Sequence, residues 1–182
     1  MKDCNEILSH KPIDVDEIPT IDLYMDQVTG YMDTALKKLI VSDEDKILTK
    51  TMINNYVKAK VIEKPQKKKY NNHQIMDLIM IYHLKNIISI GEIDELLKLQ
   101  RGLVEDDCDE SVIYKQFTDI QNDVFDEMKT KFDEKCLELD NLNEAEQKES
   151  IIEIVTKLVL QADLNKRLAE IMLRNLNGLP RE

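Results

Sequence analysis

A chain of 182 residues with net charge -11, 42% hydrophobic and 34% charged, has room for one good-sized core or two small ones. No apolar run reaches the roughly 18 residues a bilayer span needs. No glycine-rich phosphate loop, Ser–His–Asp spacing or metal motif such as HExxH or CxxC is present, so neither an enzyme, a metal nor a cofactor is expected, and the acidic balance argues against a general nucleic-acid coat.

Residues 1–19 read as a polar N-terminal arm without period, holding Pro12 and Pro19. The arm lacks the pattern of a secretory signal. With three widely spaced cysteines, Cys4, Cys108 and Cys136, it points to a reducing cytoplasm. From Ile21 to about Val41, Leu23, Tyr24, Val28, Tyr31, Met32, Ala35, Leu36 and Leu39 recur at helical steps, with Thr20 or Asp22 as cap. Gly30 inside this helix suggests a close helix contact. A second helix starts after Thr49, whose hydroxyl can accept from an unpaired backbone N–H, and runs to about Lys58. Met52, Ile53, Tyr56 and Val57 form its inner face.

VIEKPQKKKY (61–70) reads as a tight β-hairpin or wing with Pro65 near the turn. Asn71 with Gln74 has the layout of a capping box and opens a helix to about Asn86. Ser89 with Glu92 repeats the device for a short packing helix. The acidic run 99–111 marks a domain boundary. Beyond it, Ile113, Phe117, Ile120, Val124, Met128 and Phe132 mark a helix over about 111–139. A second, over about 144–177, carries a heptad seam of Ile151, Val155, Leu158, Ala162, Asn165, Ala169, Met172 and Leu176. Leu164, Leu168 and Ile171 form another stripe. A helix apolar on two sides needs more than one neighbour, so self-association, most simply a homodimer, or packing back on the first domain is expected.

Charge is strongly segregated. Between Lys46 and Lys69 stand eight lysines and one acid, Glu63, which is +7 against -18 for the remainder. A lysine cluster kept by an acidic chain suggests a polyanion, with double-stranded DNA the first candidate. On the second helix Asn54 and Asn55 have the chemistry to read adenine edges, with Thr51 beside them and Lys50 and Lys58 on phosphates.

The order helix, basic hairpin, helix, short helix matches a winged-helix variant. LTKTMINNYVKAKVIEKP, KKYNNHQIMDLIMI and ISIGEIDELL resemble the corresponding segments of the mercury-resistance-regulator (MerR-like) type. Residues 15–97, with IDLYMDQV and DKILTKTMINNYVK, resemble still more closely a bacterial family known only as a numbered domain of unknown function. The resemblance implies a dimeric DNA-binding transcription regulator. Its recognition helix falls on Thr49–Lys58 and its wing on Glu63–Lys69. Asn54 replaces the usual Arg of that helix, Asn55 the first aromatic, and Lys60 the Gly before the wing.

The expectation is therefore an all-α protein with a small β-hairpin wing. Residues 1–19 form the arm, 20–100 a winged helix-turn-helix domain, and 105–178 a helical region for dimerisation and an unidentified effector. Thr49, Lys50, Thr51, Asn54, Asn55, Lys58, Lys60, Lys64, Lys67, Lys68, Lys69 and Tyr70 are the candidate DNA-binding residues, with Tyr70 read as packing at the wing base. The rival readings are a protein-interaction module whose lysines meet an acidic partner, and a helical effector sensor without DNA affinity. Redox or metal sensing by Cys108 and Cys136 is disfavoured, because flanking acids raise a thiol's pKa.

Overall fold

The computed structural model describes residues 2–42, 45–104, 109 and 111–177. Cys108 and part of the acidic boundary run lie outside the described residues. The chain is mainly helical and divides into two compact units, 1–124 and 125–182, the division falling inside a long helix.

In the first unit, helix α1 (Lys2–Leu8) and a one-turn 3₁₀ helix (Val15–Glu17) lie within the arm. The arm is no loose tail. Pro12, Ile13 and Ile18 are buried, and the Tyr114 hydroxyl donates to the Ile13 carbonyl at 2.8 Å. The expected helix from Ile21 is shorter. Leu23–Tyr24 form strand β1, and α2 occupies Met25–Ala35, followed by a 3₁₀ turn at Lys37–Leu39. Its start is capped by Gln27, whose Oε1 accepts from the Tyr24 amide at 2.9 Å, in place of the Thr20 or Asp22 expected. Gly30 marks no close approach, since a Cβ there would meet nothing within 4 Å.

Helix α3 spans Lys50–Lys58, and the Thr49 hydroxyl accepts from the Met52 amide at 3.2 Å as expected. Helix α4 (Asn72–Leu84) opens on the Asn71–Gln74 capping box and α5 (Ile90–Gly102) on that of Ser89 and Glu92. Helix α4 is the central element. Residues Gln74 to Ile81 are all buried, so the helix is enclosed on every side rather than one, with Gln74 and Asp77 its buried polar members. Ile53, Tyr56, Val28, Met32, Leu36, Ile93, Leu97 and Tyr114 complete the core with it. A bidentate ion pair from Arg101 on α5 to Asp77 on α4, at 2.6 and 2.8 Å, ties the two helices together.

Strand β2 (Lys69–Tyr70) corrects the expected wing. It pairs antiparallel with β1, Leu23 opposite Tyr70 and Tyr24 opposite Lys69. Within 61–70 itself only a bridge from Gln66 to Lys69 closes the turn. The turn is centred on Lys67 and Lys68, with Pro65 directly before it, near the turn as expected.

Helices α6 (Ser111–Asp140) and α7 (Glu144–Asn177) fall within a residue of the expected bounds. In the second unit, the Gln147 side chain donates through Nε2 to the Leu139 and Leu142 carbonyls at 3.1 and 3.2 Å, closing the turn between α6 and α7. Asn143 caps α7 by accepting from Glu146 N–H at 3.1 Å. Of the heptad seam, Ile151, Val155, Leu158, Met172 and Leu176 remain 42–65% exposed. Ala162 and Ala169 are exposed too. Among the described residues no helix is long and apolar enough to cross a membrane.

Candidate functional site: a lysine-bearing helix and strained turn

Helix α3 divides cleanly into two faces. Ile53 and Tyr56 enter the core, with Met52 and Val57 half-buried beside them. Thr51, Asn54, Asn55 and Lys58 are exposed at steps of three, one and three, which is one helical ridge. Lys50 is also exposed, but its ammonium is paired with the carboxylate of Asp26 on α2. That pair is open to solvent on both sides, so it holds Lys50 only weakly.

The end of α3 is unusual. Val61 N–H donates to the Tyr56 carbonyl at 3.1 Å, and Lys60 N–H to that of Val57 at 3.1 Å. These are the two bonds of a Schellman motif, with Ala59 as C-cap and Lys60 in the left-handed position, φ 62°. That position normally falls to Gly, because a Cβ crowds the following carbonyl there. Val61 is buried, supplying the apolar contact that accompanies the motif.

Seven residues on, positive φ recurs in a different setting. Lys69 N–H donates to the Gln66 carbonyl at 2.8 Å, and the two central residues, Lys67 and Lys68, have φ 48° and 65°. Positive φ at both centres is the pattern of a type I′ turn, the home of Asn-Gly and Asp-Gly. Two consecutive lysines there carry backbone strain of about 1–2 kcal/mol each. Among the described residues these three lysines are the only ones other than glycine with positive φ.

The turn is held from below. Gln74 donates through Nε2 to the Glu63 carbonyl at 2.8 Å, while its Oε1 accepts from Asn71 N–H at 3.0 Å. A single buried side chain thus fixes both the entry to the turn and the start of α4. Tyr70, 2% exposed, anchors the exit. Tyr70 therefore belongs to the core, as the packing reading had it, and is not placed to touch a duplex. Lys69 lies over the Tyr24 ring, 5.0 Å from its centroid, across the β1–β2 pair. Lys58, Lys60, Lys64, Lys67 and Lys68 are exposed, and among the described residues none has a carboxylate within ion-pairing distance.

Sequence reasoning missed one positioning residue. Lys85 at the end of α4 donates to the carbonyls of Lys46 and Ile47 at 3.1 and 2.6 Å and packs over Tyr82. It pins the segment that leads into α3. Burial holds its ammonium below the usual lysine range, and nearby Asp45 partly offsets this. The only signal was its place among the last residues of an apolar helix, where a cation satisfies carbonyl groups.

A family model described as "Domain of unknown function (DUF1836)" matches residues 13–117, more than half of the chain. The match runs from the buried Ile13 of the arm to Phe117 on α6, and includes the whole lysine-bearing segment. No curated protein and no solved structure matches the chain.

Proposed function

This chain belongs to the DUF1836 family, and we propose that it is a DNA-binding transcriptional regulator of MerR-like winged-helix type. In this reading α3 is the recognition helix and the turn Gln66–Lys69 the tip of the wing. Lys58, Lys60, Lys64, Lys67 and Lys68 hold phosphates, joined by Lys50 when it leaves Asp26. Thr51, Asn54 and Asn55 face base edges. A second copy pairs along the exposed seam of α7, with Asn165 as the polar position that sets register. The resulting dimer meets two half-sites about one helical turn apart.

The observation that carries the reading is the backbone at Lys60, Lys67 and Lys68. At each, glycine or asparagine satisfies the same hydrogen bonds with less strain. Strain kept at a charged surface position points to a role for the charge. The pairing of Lys69–Tyr70 with Leu23–Tyr24 supports the reading as well, because it seats the turn against the start of α2.

Fluorescence anisotropy tests it, with the upstream region of the protein's own gene and an unrelated duplex at two salt concentrations. Five phosphate contacts give a log–log salt slope near −4 to −5. A variant with Lys64→Glu, Lys67→Glu and Lys68→Glu, shown folded by circular dichroism, is expected to lose binding. Preference for the own-gene duplex indicates autoregulation, and equal binding to both places the operator elsewhere. No binding by the wild type to either duplex at low salt removes the reading in favour of an acidic protein partner.

A further inference from the structure

A cleft of about 460 Å³ lies between the segment 9–13 of the arm and the later turns of α2. We propose that it binds a small organic anion carrying a carboxylate or phosphate group. Its size falls in the range of metabolite sites. Lys11 and Lys38 line it from opposite elements, both exposed, and among the described residues neither has a carboxylate within ion-pairing distance. In a chain of net charge -11, two such cations sharing one concavity make a local positive field.

Glu17 also lines the cleft and offsets one of the two lysine charges, so the three charged groups leave a net positive cleft; one of its carboxylate oxygens accepts from the Asp14 amide at 3.1 Å. The Tyr31 hydroxyl donates to the Glu17 carbonyl at 3.3 Å, and the Thr34 hydroxyl to the Gly30 carbonyl at 2.9 Å. Pro12 and Ile13 are buried, and the Tyr114 hydroxyl bond to Ile13 holds the segment on the core, so the site is built rather than draped. His10 is 7% exposed at the same wall, and its imidazole is held below its ordinary range by burial and then by the Lys38 charge. A bound anion offsets that charge.

This site supplies the effector of the proposed regulator, yet its occupancy does not depend on DNA binding, so the two ideas fail separately. The test is amide NMR of the full chain titrated with succinate, inorganic phosphate and, as a neutral control, glucose, at ionic strength matched with sodium chloride. Succinate and phosphate separate the carboxylate source from the phosphate source. The expected result is saturable shifts in residues 9–13 and 31–38 with one of the two anions. Affinity should fall at least ten-fold in a Lys11→Glu, Lys38→Glu variant and stay unchanged in a Lys67→Glu, Lys68→Glu variant. Shifts that follow ionic strength alone, that survive the double charge reversal, or that are absent with both anions up to about 20 mM overturn the proposal.

Discussion

Replacing Lys67 with Asn and Lys68 with Gly converts the strained turn into the Asn-Gly sequence that type I′ geometry favours. Two quantities should then move in opposite directions. Relief of left-handed strain returns about 1–2 kcal/mol per residue. Glycine's larger unfolded-state entropy takes back about 0.5–1 kcal/mol, which leaves a net stabilisation of about 1–3 kcal/mol for the pair. In a chain of this size that raises the Tm by about 3–10 °C. Duplex affinity should fall. Each phosphate contact is worth about 0.9 decade at 0.1 M salt relative to 1 M, so two lost contacts weaken binding about 60-fold and flatten the salt slope by about 1.8. Urea unfolding with a fixed m-value and anisotropy at several salt concentrations read both effects on one preparation. Lys64→Asn is the control, because Lys64 is exposed without positive φ: it should weaken binding without stabilising. A stabilised variant that binds duplex as tightly as wild type would refute the functional argument. A variant that gains no stability would refute the strain argument beneath it.

Three further outcomes concern stability. Gly30→Ala, mid-helix with open space where the Cβ would stand, should stabilise by about 0.5–1 kcal/mol, read as a rise in the urea midpoint. Asp77→Ala strands the half-buried Arg101 guanidinium and should destabilise by about 2–4 kcal/mol, whereas Asp77→Leu with Arg101→Met should recover most of that loss; equal losses in single and double variants would show that packing, not charge, dominates. His83 is held at about pKa 4, first by burial and then by the nearby His10 charge, below its ordinary 6.5. The unfolded chain therefore takes its proton first, and stability should fall as pH drops from about 6.5 to 4, by roughly 2–3 kcal/mol. A His83→Gln variant should flatten that slope in urea unfolding measured across the same range.

Much of this molecule was legible in its sequence wherever the governing physics is local. The caps at Thr49, Asn71 and Ser89 declare themselves because a short polar side chain three residues ahead of its partner has little else to do. Helices α6 and α7 declare themselves by long unbroken apolar spacing. The start of α2 misled because Leu23 and Tyr24 happen to continue its helical spacing while their backbone pairs with Lys69–Tyr70, more than forty residues on. The arm hid its buried Pro12, Ile13 and Ile18 because irregular backbone leaves no period to read. Partnerships such as Arg101 with Asp77 and Lys85 with the Lys46 and Ile47 carbonyls exist only once the helices have packed. The lysine cluster itself was visible as composition. Its backbone was not, since Lys-Lys carries none of the turn signature of Asn-Gly.

The placement of glycine sharpens the case for the lysines. Gly30, Gly91 and Gly102 stand in helices α2 and α5, where glycine is among the worst residues, and a Cβ at any of them meets nothing closer than 4.0 Å. Among the described residues no glycine has positive φ, while Lys60, Lys67 and Lys68 all do. Each residue type thus occupies the sites where the other is cheaper. Exchange of the two sets would leave every hydrogen bond of the Schellman motif and the type I′ turn in place. Stability alone therefore does not account for lysine at 60, 67 and 68. Nor does solubility, because the chain is already far from neutral and further lysine brings its net charge nearer to zero. The proposed recognition of a negative surface by closely spaced ammonium groups supplies the missing reason. In that proposal a duplex backbone offers such a surface at regular intervals, and the acid of the remaining chain disfavours its approach elsewhere.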